Sequence, residues 1–310
     1  MKIVKGVRNI KIPIEGSVIA IGVFDGFHKG HRKIIDSTVR RARRLGLTSV
    51  VLTFDPHPLK VVGHSSKAPS IISLDHRIKL ISETGVDVIV VLRFTKAVAN
   101  LSASGFVKEI LVDKLGAREV FVGANFYFGR GGSSGVKELK RLSDEFNFKT
   151  RVLDPVRIGS SIASSSLIRR LIASGDIRKA ELFLGRPVSV LGTVIRGANL
   201  ARELGYPTAN LNPHHEVVPS SGVYAVKTRC GRRLLGGILN IGVRPTFYSS
   251  KDLEPAIEVH IFDFRGNIYG KDLEVLFIKK IRDEIKFKNR EELIRQIEID
   301  TKRTKSILTS

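Results

Sequence analysis

The 310-residue sequence predicts an α/β protein with two domains: a doubly wound parallel sheet, then a small antiparallel β-barrel with a C-terminal helix. Up to Pro187, apolar runs of strand length alternate with helical patterns. Beyond Pro187, such runs follow one another with Gly, Pro and Asn between them and no long helix. The length also exceeds what one compact core usually occupies.

The predicted strands of the first domain are near-continuous apolar runs, as expected for strands covered on both faces. They are residues 17–23, 48–54, 86–92, 118–123 and 149–154. Helical patterns predict helices over residues 29–45, 74–84 and 103–115, the last two capped by Ser73 and Ser102 and ended by Gly85 and Gly116. Ligands are expected at the carboxyl ends of the strands.

The second domain is predicted from five further strand runs and one closing helix, residues 289–308. The runs are residues 188–195, 222–228, 232–242, 257–264 and 271–281. We place the boundary at Arg186, which gives domains of residues 1–185 and 186–310.

The charge predicts anionic ligands, because Lys and Arg outnumber Asp and Glu by 52 to 30, a net charge of +22. The basic segment 39–46 would suit nucleic acid, but a charged helix face is more frequent, and the absence of Trp argues against base stacking. No apolar run has the length of a signal peptide or a membrane span, and Cys230 is the only cysteine. We expect a cytoplasmic protein, unattached to membrane, as a monomer or weak homo-oligomer.

The segment GVFDGFHKGH, which follows the first predicted strand, indicates a phosphate site. Its glycines allow close backbone approach, the following helix offers N–H groups, and His28 and His31 add two imidazole donors. A zinc pair is the rival functional interpretation, although nearby cysteines and a third ligand are missing. Two surface histidines at a helix start are the structural alternative.

The chain resembles bacterial bifunctional riboflavin kinase/FAD synthetase, since nine motifs occur in the order seen in that family. They are GVFDGFHKGH, TFDPHP, LSASGFVKEIL, VGANFYFGRGGSSG, SSSLIRRLIASGDIRKAELFLGRP, LGYPTANL, NIGVRPTF, EVHIFDF and IRDEIKF. The resemblance covers nearly the whole chain. It implies that the first domain transfers AMP from ATP to FMN, forming FAD and pyrophosphate, and that the second phosphorylates riboflavin to FMN with ATP and Mg²⁺.

For the adenylyltransferase, the resemblance implies catalytic roles for His28 and His31 and two sets of binding residues. The ATP-binding set is Gly22, Phe24, Asp25, Gly26, His28, His31, Ser164, Ser165, Ser166 and Arg169; the flavin-binding set is Asn125, Phe126 and Phe128. A serine cluster before a helix is most often only a cap, and the glycine-rich loop could be only a flexible turn.

For the kinase, the resemblance implies Glu258 as the catalytic base and Thr208 and Asn210 as Mg²⁺ ligands. Its ATP- and flavin-binding set is Gly197, Gly205, Pro207, Thr208, Asn210, Asn240, Arg244 and Arg282. No GxxxxGK[ST] loop is present to hold phosphates. An ordinary polar turn at PTAN and a solvent-facing Glu258 are the structural alternatives.

Two positions depart from the family pattern: Asn125 stands where Asp is common, and Ala201 where Gly is usual. The rival functions are a chain with one active domain and a basic nucleic-acid-binding protein on an α/β scaffold. Flavin fluorescence would separate the enzyme from the nucleic-acid binder, since only the enzyme should quench it.

Overall fold

The computed structural model describes residues 1–6, 14–63, 70–196, 206–214, 217–231, 233–243 and 255–309. The chain forms two compact units. The first unit contains Met1–Ser70 and Leu74–Ser164, and the second contains Ile71–Ser73 and Ser165–Ser310.

The first unit is built on a six-stranded, wholly parallel sheet, which confirms the predicted parallel sheet and adds one edge strand to its five predicted strands. Its strands are β1 (Lys2–Lys5), β2 (Ser17–Ile21), β3 (Thr48–Asp55), β4 (Val88–Arg93), β5 (Ala117–Gly123) and β6 (Lys149–Leu153), in the order β1-β4-β3-β2-β5-β6. All five residues of β2 are buried, because helices cover both faces of a doubly wound sheet.

The helices of the first unit join these strands. They are α1 (Lys29–Leu45), α2 (Pro58–Val62), α3 (Leu74–Ser82), α4 (Lys96–Ala99), α5 (Ala103–Gly105) and α6 (Val136–Glu145). The predicted helix 103–115 begins as α5, capped by Ser102, but continues through Phe106–Val112 as a π-helix. A hairpin of β7 (Arg157–Ile158) and β8 (Ser161–Ile162) follows β6.

The second unit contains α7 (Ser165–Ala173), α8 (Ile177–Leu184) and a closed antiparallel barrel, which confirms the predicted barrel. Its strands are β9 (Ser189–Ile195), β10 (Ala209–Pro213), β11 (Gly222–Cys230), β12 (Arg233–Val243), β13 (Pro255–Ile261) and β14 (Asp272–Arg282). The C-terminal helix α9 (Arg290–Thr309) packs Ile307 and Leu308 against Val223 and Ala225. Tyr224, between these two, points to the opposite face and is fully buried.

Candidate active sites

The first candidate site lies where the strand order of the parallel sheet reverses. From β2 the chain builds β3 and β4 on one side and then β5 and β6 on the other. Loops that leave the carboxyl ends of two such neighbouring strands form the usual ligand crevice of this fold. The loop after β2 carries His28 and His31, and the loop after β5 carries Asn125.

The loop after β2 has a backbone that ordinary residues rarely adopt. Phe24 and Phe27 have φ of 54° and 44°, and Gly26 between them has φ of 79°. Both phenylalanines are buried, and the Phe27 N–H donates to the Phe24 carbonyl at 3.1 Å. Positive φ at a non-glycine residue costs on the order of 1 kcal/mol or more, and such strain clusters at functional sites. Asp25, in the same turn, is also buried.

His28 caps the N-terminus of α1 with its own ring. Its Nδ1 accepts the N–H groups of Gly30, at 3.1 Å, and of His31, at 3.4 Å. Only 6% of His28 is exposed, and burial lowers its pKa to about 4. The ring is therefore neutral at pH 7 with its proton on Nε2, which is the atom that can donate to a ligand.

This cap corrects one part of the sequence interpretation. We expected free N–H groups at the start of α1 to point at a phosphate. Two of them, on Gly30 and His31, instead donate to His28. The hydrogen-bond donor that His28 can still offer to a ligand is its imidazole Nε2–H.

His31 lies directly over His28, with ring centroids 3.6 Å apart and planes inclined by 21°. His31 also forms a T-shaped contact with the ring of Phe24, with ring centroids 5.4 Å apart and planes at 90°. Burial, followed by the charges of His28 and Arg77, holds the pKa of His31 well below its ordinary value. Within the described residues, its buried Nδ1 has no hydrogen-bond partner.

Arg77 is a residue of this site that the sequence interpretation missed. It lies on α3 and is buried, and its Nη1 donates to the Val23 carbonyl at 2.5 Å. Nothing in the segment LDHRIKLIS distinguishes Arg77 from an ordinary basic helix residue. Its partner is 54 positions away in the chain, so only the fold brings the two together.

The predicted flavin residues lie in the loop after β5, in three different environments. Asn125 is exposed and Phe126 is half-buried. Phe128 is a core residue, 7% exposed, which stacks on Phe126 at 5.5 Å and meets Phe106 at 5.9 Å. Paired backbone hydrogen bonds with Ser134 turn Phe128 inward. Tyr127, at 69% exposed, is the aromatic side chain of this loop that faces solvent.

The serine motif falls at the division between the two units. Ser164 ends the first unit, whereas Ser165, Ser166 and Arg169 lie on the first two turns of α7 in the second unit. The predicted role of these four residues in binding ATP beside His28 stays a prediction.

The second candidate site is a row of three polar residues on neighbouring barrel strands. Glu258 on β13 lies opposite Asn210 on β10 and also opposite Asn240 on β12. Directly opposed residues have Cβ atoms about 4.5–5.5 Å apart and lie on one face of the sheet. Asn210 is 7% exposed, and Glu258 and Asn240 are half-buried. The barrel therefore brings together three of the predicted kinase residues.

The PTAN segment is not an ordinary polar turn, the structural alternative given above. Strand β10 begins at Ala209, directly after Thr208, and contains Asn210. The missed residue here is His260, whose Nδ1 lies 2.8 Å from the Pro207 carbonyl. This contact fixes Nδ1 as the protonated nitrogen and ties the start of β10 to β13. Tyr206 meets the His260 ring edge-on at 5.7 Å.

Arg282, predicted to bind ATP or flavin, is engaged with helix α9. Its Nε and Nη2 donate to one oxygen of the buried Asp300, at 2.9 and 2.8 Å. Gln296 donates to the other Asp300 oxygen at 2.9 Å. Arg282 thus fixes α9 to the end of β14. Gly197, Ala201, Gly205 and Arg244 lie outside the described residues.

Two absences hold for the described residues alone. They contain no group of three or more His, Cys, Asp or Glu side chains that could hold a metal ion. Among them, too, no helix is both long and apolar enough to cross a membrane.

Comparisons with known proteins place both units in one class, that of flavin-nucleotide transferases with two catalytic domains in a single chain. The FAD synthetase family model matches residues 11–167, and the riboflavin kinase model matches residues 184–308. The chain belongs to the family of bifunctional riboflavin kinase/FMN adenylyltransferases. It therefore phosphorylates riboflavin to FMN through its C-terminal part and adenylylates FMN to FAD through its N-terminal part, with ATP as the co-substrate of both reactions.

Individual relatives agree over nearly the full length. The bifunctional riboflavin kinase/FMN adenylyltransferase of Escherichia coli K12 is 34% identical over 97% of this chain and 96% of its own. The enzyme of the same description from Bacillus subtilis is 35% identical over 92% of this chain and 90% of its own. A solved structure described as a macrolide-efflux protein from Streptococcus pneumoniae has a TM-score of 0.85 at 30% identity and covers 98% of each chain.

Proposed function

We propose that the two reactions occur at the two sites described above, adenylyl transfer at the His28 loop and phosphoryl transfer at the Asn210–Glu258–Asn240 row. The observation that carries this proposal is the register of the barrel, which sets Glu258 between two amides. Both activities belong to the family, and the proposal concerns which residues perform them.

In the first unit, a phosphate oxygen of FMN attacks the α-phosphorus of ATP, and the bond to the β-phosphate oxygen breaks to release pyrophosphate. The attacking phosphate is already anionic, so this step needs positioning and charge stabilisation and no general base. The Nε2–H of neutral His28 donates to a phosphate oxygen. The ring of His31, stacked on His28, holds that donor in place.

In the second unit, a ribityl hydroxyl of riboflavin attacks the γ-phosphorus of ATP, and ADP leaves. The hydroxyl must lose its proton as the new bond forms, so a base within hydrogen-bond reach is required. Glu258 accepts this proton. Asn210 and Asn240 on the flanking strands hold the carboxylate in one orientation through their amide groups.

The donor set of this row fits Mg²⁺, which prefers oxygen ligands and usually takes only one or two carboxylates together with substrate phosphates. Thr208 and Asn210 are two positions apart, so their side chains point to the same side of an extended chain, beside Glu258. These two residues would hold the ion, and Glu258 is the nearby carboxylate. When bound, Mg²⁺ neutralises charge on the phosphates.

The replacement of Asn210 by Ala tests the proposal, with Asn212→Ala as a matched control. Asn212 carries the same amide on the same strand, but it is exposed and lies opposite Thr193 on β9. Asn210→Ala should lower kinase kcat/KM for ATP about 10- to 100-fold, the effect of one lost hydrogen bond to a charged group. Asn212→Ala should change it little, and equal effects of the two variants would contradict the proposal.

A further inference from the structure

Arg77 is a buried cation at the carboxyl end of the parallel sheet. It is 6% exposed, and burial lowers its pKa, while the charges of Asp25 and Asp55 act in the opposite direction. Arginine is seldom buried to this degree unless it is paired. Within the described residues, its Nε has no hydrogen-bond partner.

One contact of Arg77 fixes the start of the strained turn. Its Nη1 donates to the Val23 carbonyl at 2.5 Å, and the Thr53 hydroxyl donates to the same oxygen at 3.0 Å. Val23 is the residue directly before Phe24, where the positive-φ turn towards His28 begins. Two donors on one carbonyl oxygen occupy both of its lone pairs, so the orientation of this peptide group is set.

The other contacts of Arg77 concern charge. Its Nη2 lies 3.9 Å from Oδ1 of Asp55, which ends β3, and Asp25 in the strained turn also interacts with its charge. One carboxylate thus lies in the turn that follows β2 and the other at the end of the neighbouring strand β3. Without a nearby cation, they would repel the triphosphate of ATP.

We propose that Arg77 is a positioning residue of the adenylyltransferase site: it holds the Val23 carbonyl at the entry to the His28 turn and offsets the charges of Asp25 and Asp55, so that a triphosphate can approach. This inference rests on the proposed assignment of adenylyl transfer to the His28 loop. It concerns ATP binding and the geometry of the loop, and Arg77 itself transfers no group.

The test is Arg77→Met in the full-length enzyme, with FAD formation from FMN measured against ATP concentration. The KM for ATP should rise at least about 10-fold, because a favourable charge is lost and two carboxylates are left exposed to the phosphates. FMN formation from riboflavin by the same preparation should stay within about twofold of the wild type. Arg141→Met is the matched control, since it removes a guanidinium whose ion-pair partners, Glu138 and Glu145, lie on its own helix.

Two further variants separate charge from packing. In Arg77→Met/Asp55→Asn, one repelling carboxylate is gone, so the KM for ATP should fall back towards the wild-type value. A purely structural role for Arg77 predicts no such recovery. Arg77→Lys keeps the charge but cannot reproduce the contacts that the guanidinium makes with both Val23 and Asp55, so its KM for ATP should stay closer to the wild-type value than its kcat does.

The outcomes are distinct. An unchanged KM in Arg77→Met, or no recovery in the double variant, overturns the inference. If Arg77→Met does not fold by circular dichroism, Arg77→Lys decides, since wild-type KM and kcat in that variant would also overturn it. If His28→Ala keeps full adenylyl transfer, the site assignment itself is wrong; if His28→Ala loses it and Arg77→Met does not, only the role of Arg77 is wrong.

Discussion

The imidazole rings of His28 and His31 stack with their centroids 3.6 Å apart, while Nδ1 of His28 accepts the N–H of His31 at 3.4 Å. The same two residues are thus joined by a ring contact and by a helix cap. His28 is buried and His31 is half-buried with its Nδ1 inaccessible to solvent, and desolvation lowers the pKa of both rings, which favours their neutral forms. The arrangement supplies an uncharged hydrogen-bond donor, the Nε2–H of His28, at the proposed phosphate site.

Different substitutions can separate the observed role of His28 as a helix cap from its proposed role as a phosphate donor. Asn is a strong N-cap residue, so His28→Asn keeps the cap, whereas His28→Ala loses it at a cost of about 1 kcal/mol in the free energy of unfolding. Neither variant keeps the Nε2–H donor, so both should lose about 10²- to 10³-fold in adenylyl transfer. Urea unfolding and FAD formation from FMN measure the two effects. Wild-type adenylyl transfer by His28→Asn would show that the ring is only a cap.

The low pKa of His28 predicts that stability depends on pH. The ordinary pKa is 6.5 and the folded value is about 4, so between these values the unfolded chain binds a proton that the folded chain does not. This contribution to stability is fully present above pH 6.5, and it falls by up to about 3 kcal/mol as the pH drops to 4. The lowered pKa of His31 acts in the same direction.

Unfolding of the wild type and of His28→Asn at several pH values between 7 and 4.5 measures this contribution. The difference between the two proteins reports His28 together with its effect on the pKa of His31, because the other titrating groups are shared. The variant should lose less stability on acidification. Parallel pH profiles would show that His28 is protonated equally in both states.

The boundary between independently folding parts can be tested with two fragments. The sequence boundary predicts that residues 186–310 fold alone and phosphorylate riboflavin. In the structure, α8 buries Ile177, Ala180 and Phe183 and packs against β14. Fragment 165–310 should therefore be more stable than fragment 186–310 by a few kcal/mol, since each large buried side chain contributes about 1.5–3 kcal/mol. Equal unfolding midpoints would show that α7 and α8 add nothing to the barrel.

The sequence predicted strand positions best for strands that are buried on both faces. The apolar runs at β2 to β6 leave no other interpretation, and the predicted ends agree with the structure within two residues. Four strands were not predicted: the two-residue strands β7 and β8 of the hairpin, and β1 and β10, for which there are physical reasons. β1, with Lys at both ends, is a short edge strand, and β10 contains two asparagines and a proline, which are rare in strands.

The missed site residues depend on contacts between distant parts of the chain. Arg77 and His260 contact backbone carbonyls that are 54 and 53 positions away. No local pattern carries such information, because neither residue stands in a segment with unusual composition. A phosphate-binding role of His28 stays a prediction from its place after the first predicted strand; the use of its Nδ1 as a helix cap was not predicted.

The central claim is that one chain holds two separate catalytic sites, and Glu258→Gln tests it most directly. This change keeps the shape of the side chain and removes the proposed base. With riboflavin as substrate, turnover should fall about 10²- to 10⁴-fold, the range for loss of a general base. With FMN as substrate, FAD should form at close to the wild-type rate, as separated and measured by chromatography. Near-normal turnover with riboflavin, or an equal loss with both substrates in a folded protein, would contradict the account.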